Sequence, residues 1–236
     1  MMRAENDSTT QPTIPPAPWK LQGKGFVFLY KFDTHIIDNE QFIPDWLQGK
    51  RCLPWGFVML VHYESSPVGA YYELLLIPGW FRHPQGNAFA ITKIYVSSMD
   101  SVLGGRQNWG IPKELADFDW QAQPNGGTQI SVGTNAHKFL ITSIQAKGWH
   151  FPLTTGLLRI PLVQELDGQG FQVGFRGRGQ ARRARIVSMK TDGAFFADLS
   201  NIQPLVALEI RSFQLAFLQP NRFALFPVKN APSNPT

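Results

Sequence analysis

The feature that most constrains this chain is a succession of short apolar runs, rich in β-branched and aromatic residues, each bounded by Gly, Pro or polar residues. Residues 25–32, 56–63 and 71–77 are the clearest, and Pro78-Gly79 stops the third. Residues 88–96, 118–121, 128–132 and 138–146 continue the series, followed by 171–175, 180–189 and 207–218. Polar and apolar residues partly alternate over 183–190, as on a half-buried strand. The 18 Phe, 21 Gly and 18 Pro among 236 residues suit strands joined by turns. One segment reads as helix: Ser97 or Ser98 can cap it, Asp100 sits in its first turn, and Met99, Val102 and Leu103 share a face. Gly104-Gly105 can end it. The fold class expected is mainly β, an antiparallel barrel or cone with one or two short helices.

Residues 1–18 are polar and then Pro-rich, and lack the apolar surface that would offset ordering entropy. A flexible arm is expected there, a single domain over 19–229 and a tail over 230–236. The net charge of +5 speaks to solubility and steering, not to activity. A lone Cys52 can form no internal disulfide and no thiolate metal site. No run approaches the roughly 18 apolar residues of a membrane helix, and the start lacks the apolar stretch of a secretory signal. A cytoplasmic protein without a membrane partner is expected.

Much chemistry is excluded by absence. The sequence holds no G-x-S-x-G elbow, no Walker A loop and no H-E-x-x-H zinc pair. His35, His62, His83, His137 and His150 are scattered without ligand spacing, so neither a metal nor another cofactor is expected. Arg176, Arg178, Arg182, Arg183 and Arg185 crowd one stretch, where they read as a solvated strand face; nucleic acid is not the expected partner.

One segment remains, from Gly104 to Leu115. It places Lys113 directly after Pro112, with Trp109, Ile111 and Leu115 around it. Proline fixes its own φ and biases Ile111 to an extended shape, so Lys113 is held on stiff backbone. Desolvation by apolar neighbours would lower its pKa and free a neutral amine as nucleophile. Taken alone, the same pattern also fits an ordinary surface lysine.

Upstream lies Gly69-Ala70-Tyr71-Tyr72-Glu73, and about forty residues later Gly105-Arg106-Gln107-Asn108-Trp109-Gly110-Ile111-Pro112-Lys113. The pair resembles the acetoacetate decarboxylase-like family, as does the Pro16-Ala17-Pro18-Trp19 entry. The resemblance implies an antiparallel β cone around an apolar cavity, assembled into homo-oligomers. It implies Lys113 as the Schiff-base nucleophile and Glu73 facing it from a strand. Tyr72 and Trp109 would contact substrate, and Arg106 would either pair with a substrate carboxylate or brace the loop.

In acetoacetate decarboxylase itself the lysine is activated by a neighbouring cation and by desolvation. Here Glu114 stands where the second lysine would be, and a carboxylate close to Lys113 would raise its pKa. Gln107 replaces an acid, and no motif anchors a substrate-carboxylate arginine; Lys31 is left unassigned. The expectation is therefore a relative of the decarboxylase, a lyase acting on a small oxo acid or related carbonyl compound by decarboxylation, aldol-type or dehydration chemistry. The alternative is a non-catalytic barrel that holds a small apolar ligand.

Overall fold

The computed structural model describes residues 14–37, 41–156 and 161–224. The first half of the chain forms β1 (Trp19–Lys31), α1 (Thr34–Ile37), β2 (Arg51–Leu53), β3 (Trp55–Ser65), β4 (Tyr71–Ile77), β5 (Trp80–Phe81), β6 (Ala88–Phe89) and β7 (Lys93–Val96). Then come α2 (Met99–Trp109), β8 (Lys113–Leu115), β9 (Asp117–Ala122), β10 (Gly127–Thr134), β11 (His137–Ala146) and β12 (Phe151–Thr154). The remainder is β13 (Leu162–Leu166), β14 (Gln169–Val173), β15 (Phe175–Thr191), β16 (Val206–Phe217) and β17 (Asn221–Ala224).

Eleven strands form one sheet in the order β8-β7-β4-β3-β1-β16-β15-β11-β10-β9, with β12 added beside β15. Six more form a second sheet, β17-β14-β13-β6-β5-β2. Among the described residues every strand pair is antiparallel except β7 with β8 and β13 with β6. The large sheet is not closed by strand pairing. It coils until β9 returns over β4, where Tyr72 stacks on Phe118 and Trp120 with ring centroids 5.9 and 5.7 Å apart. Closure by side-chain packing gives the cone, and Phe28, Leu60, Leu74, Tyr95, Ile130 and Leu140 fill its interior. A second apolar cluster, including Trp19, Leu21, Leu75, Ile94, Trp109 and Phe171, lies between the large sheet, α2 and the small sheet. The fold is mainly β, as the sequence pattern requires.

Three expectations change. Residues 88–96 are not one strand: β6 joins the small sheet and β7 the large one. Helix α2 starts where Ser98 caps it, but runs through Gly104-Gly105 to Trp109 and ends at Gly110 in the left-handed region, φ 64°. Close packing explains the two glycines. A Cβ on Gly104 would lie 2.3 Å from the Trp19 ring, and one on Gly105 would lie 2.6 Å from Lys113 Cδ. The arm expected up to Pro18 is tied down over its last residues. Pro15 O accepts from Trp19 Nε1 and Asn108 Nδ2, Ala17 N donates to Asn108 Oδ1, and Ile14 packs on the second cluster. The rest of that arm, residues 1–13, and the tail lie outside the described residues.

Candidate active site

Four elements converge on Lys113. Helix α2 ends at Gly110, the chain extends through Ile111-Pro112, and Lys113 opens β8 opposite Ile94 of β7. The Lys113 side chain runs beneath α2, in the space left by Gly105. Its Nζ donates to Glu73 Oε2 at 2.8 Å and to Ser101 Oγ at 3.0 Å, and stands 5.1 Å from the Tyr71 ring centroid. Tyr63 OH donates to Glu73 Oε1 at 3.0 Å. Tyr63 pairs with Tyr71 across the β3–β4 hairpin, and Val61 with Glu73, so these side chains share one face of the sheet. Lys113 and Glu73 are 5% and 4% exposed, which makes this a buried ion pair.

Electrostatics act in opposite directions here. Burial works against the charge on Lys113, but the Glu73 carboxylate and then Tyr71 outweigh it, and its pKa stands above the ordinary 10.5. Burial, then the Glu73 charge, holds the Tyr63 phenol well above its usual value. The Tyr71 phenol is also raised by burial, against the pull of Lys113. At neutral pH the site is an ammonium–carboxylate pair held by two neutral phenols and a serine.

The pair faces a cavity of about 420 Å³. Its wall is mostly apolar and includes Leu75, Ile94, Trp109, Leu162 and Phe217. Trp109 stands edge-on to Trp19 and Phe217, with centroids 5.1 and 5.4 Å apart, and its Nε1 donates to Leu218 O at 2.7 Å. Among the described residues, no group of three or more His, Cys, Asp or Glu could hold a metal ion. No described helix is long and apolar enough to cross a membrane.

The structure thus brings Lys113, Glu73 and Trp109 together. It does not bring Tyr72 to them. Strand alternation turns Tyr72 to the other face of β4, where it stacks on His62 at 4.4 Å beside a separate cleft. Arg106 braces the loop: its Nε donates to Lys113 O at 2.9 Å and its side chain is exposed. Glu114 also points away, pairing with Lys93 at 2.7 Å. Lys31 is exposed at the far end of β1. In the arginine-rich stretch Arg178 bonds Gln214, Arg182 pairs with Glu209 and Arg185 bonds Gln145.

Ser101, Tyr63 and Tyr71 belong to the site and escaped the sequence reading. A signal existed for two of them. Ser101 precedes Gly105 by one helical turn, which places both on the face that covers Lys113. Tyr71 lies two residues from Glu73 and so shares its side of the strand.

A β cone carrying a buried lysine–glutamate pair at an apolar cavity is a recognisable class of protein. The chain belongs to the acetoacetate decarboxylase (ADC) family, whose model matches residues 3–151. The acetoacetate decarboxylase of Burkholderia mallei is 25% identical over 175 residues, covering 67% of this chain and 66% of that one. The chain therefore spans just under two thirds of that relative. The structure of acetoacetate decarboxylase from Legionella pneumophila superposes with a TM-score of 0.65 at 15% identity, covering 92% and 93% of the two chains. The enduracididine biosynthesis enzyme MppR, in its complex with pyruvate, gives 0.62 at 12% identity over 94% and 95%. At such identities the two structures speak to the fold.

Proposed function

We propose that this protein is a Schiff-base enzyme acting on a carbonyl compound, with Lys113 as the amine. The observation that carries the reading is a lysine only 5% exposed, at an apolar cavity, within 2.8 Å of a carboxylate able to take its proton. Transfer of that proton from Nζ to Glu73 leaves an amine and a carboxylic acid, both uncharged, which is what burial favours. The amine then adds to the substrate carbonyl carbon. Glu73 returns the proton to the departing hydroxyl, and one water leaves as the protonated imine forms. That imine draws electrons from the adjoining bond, which serves decarboxylation, aldol-type cleavage or dehydration alike. Ser101 and Tyr63 keep amine and carboxylate in register, and Arg106 is a positioning residue acting through the Lys113 backbone.

The raised pKa of Lys113 favours a second reading, a non-catalytic apolar-ligand barrel in which the ion pair only stabilises the fold. Borohydride reduction with a panel of oxo acids and ketones separates the two. The expected result is a permanent mass gain on the Lys113 peptide, rising toward alkaline pH and absent in Lys113→Met. No gain across the panel at any pH would leave the binder. Homo-oligomers, from the family resemblance, and a cytoplasmic setting, from the sequence, belong to this proposal as well.

A further inference from the structure

The face of the β3–β4 hairpin turned away from the cone interior, toward the cavity, is a graded ladder. Its rungs, read from the register, are Tyr63 with Tyr71, Val61 with Glu73, Met59 with Leu75, and Phe57 with Ile77. All eight residues line the cavity. The polar groups of this ladder sit on the first two rungs, where Lys113 joins them. Beyond Glu73 the ladder is wholly apolar for four residues of strand, about 13 Å at the rise of an antiparallel strand. Phe89 stands at its far end, 5.5 Å from Phe57. The other polar side chains of the wall are Thr154, Arg178 and Gln214, which are exposed, and half-buried Thr155, whose hydroxyl accepts from Gly177 N; the Arg178 guanidinium is occupied by Gln214.

We infer that the substrate of Lys113 is a carbonyl compound with an extended apolar body, its carbonyl at the Lys113–Glu73 end and its chain along Leu75 and Met59 toward Ile77 and Phe57. The inference rests on the Schiff-base reading and narrows its substrate class. An apolar cavity of about 150 Å³ accommodates benzene, so 420 Å³ takes on the order of 15 non-hydrogen atoms. A small oxo acid would leave most of that apolar wall uncovered. Each methylene added along the ladder leaves water for an apolar surface and should raise apparent affinity about fourfold until the cavity is full.

The test is a homologous series of methyl ketones from butanone to dodecanone, read in two ways. Borohydride labelling of Lys113 is measured against ketone concentration at fixed pH. Quenching of tryptophan fluorescence is measured without borohydride, since Trp19 and Trp109 stand in the wall. The expected result is a steady rise in apparent affinity with chain length in both readouts, levelling once the cavity is filled. Met59→Trp should move the plateau to shorter ketones, and Ile77→Phe serves the same purpose nearer the end of the ladder. Labelling that is flat with chain length would overturn the extended-body inference while supporting the Schiff base. A steep chain-length rise in fluorescence without any labelling would support the apolar body and sink the Lys113 chemistry. Flat fluorescence without labelling would remove both.

Discussion

Glu73→Gln keeps the shape of the side chain and removes its charge, so it isolates what the buried pair does. In the wild type the carboxylate more than offsets burial, and the Lys113 pKa lies above 10.5. A raised pKa contributes stability that is fully present below the unfolded value and disappears as pH climbs through the folded value, in the alkaline range. With glutamine at position 73, burial acts on Lys113 without its counter-charge and its pKa falls below the ordinary one. The folded variant then carries a neutral amine at pH values where the unfolded chain still binds a proton. Its stability must therefore increase with pH, by about 1.4 kcal/mol per unit. Removing one partner of a buried pair costs about 3–5 kcal/mol, which for a chain of this size lowers Tm by roughly 6–20 °C at neutral pH. Once pH exceeds the lowered folded value, and until it reaches the ordinary one, each pH unit should recover up to about 1.4 kcal/mol of that loss. Urea unfolding of both proteins at several pH values between neutral and the ordinary lysine pKa reads this directly. A deficit equal at all pH values would mean that lost hydrogen bonds, not an uncompensated ammonium, account for the destabilisation. The same change should move the borohydride labelling profile of Lys113 toward neutral pH.

Gly105→Ala is expected to push the Lys113 side chain off Glu73, since the added Cβ would sit 2.6 Å from Lys113 Cδ; labelling should fall and stability drop by about 1–3 kcal/mol, read by mass and by denaturant unfolding. Glu114→Lys should leave the pH profile of labelling in place, because Glu114 faces Lys93 across the strands, and should cost at most about 1 kcal/mol of stability. A profile displaced toward neutral pH would place Glu114 near the amine after all. Arg106→Ala removes one hydrogen bond to the Lys113 carbonyl and should slow labelling by ketones and oxo acids alike, with roughly 0.5–1.5 kcal/mol lost in stability. A loss confined to oxo acids would instead give Arg106 a substrate carboxylate.

Local chemistry made part of this fold legible. Gly and Pro punctuation marks the strands, and Ser98 starts α2 by the ordinary capping rule, its hydroxyl accepting from Ser101 N. The end of that helix was illegible for a tertiary reason. Gly104-Gly105 looks like a stop signal, yet Trp19 and Lys113 press on those two positions from elsewhere in the chain and leave no room for a Cβ. The division of residues 88–96 between two sheets likewise depends on partners far away, Leu162 for Phe89 and Glu73 for Val96.

The site itself turns on strand parity, which a motif does not display. Glu73 and Lys113 face the cavity, while Tyr72 and Glu114, each one residue away, stand on the other side of their strands. The sequence departure that cast most doubt on the chemistry, Glu114 after Lys113, therefore lies on the wrong face to act on the amine. The group that does oppose an uncharged nucleophile is Glu73, nominated by the same pattern as the helper. In the proposed chemistry both roles fall to one carboxylate: at rest it fixes the proton on Lys113, and during attack it would be the group near enough, at 2.8 Å, to hold that proton until water departs. In that reading, an apolar substrate filling the cavity would lower the polarity of the space beside the buried pair and favour its uncharged form. Proton transfer and substrate entry would then be one coupled event, so long ketones should lower the pH at which Lys113 is labelled and short ones should not. Equal pH profiles for butanone and decanone would uncouple them.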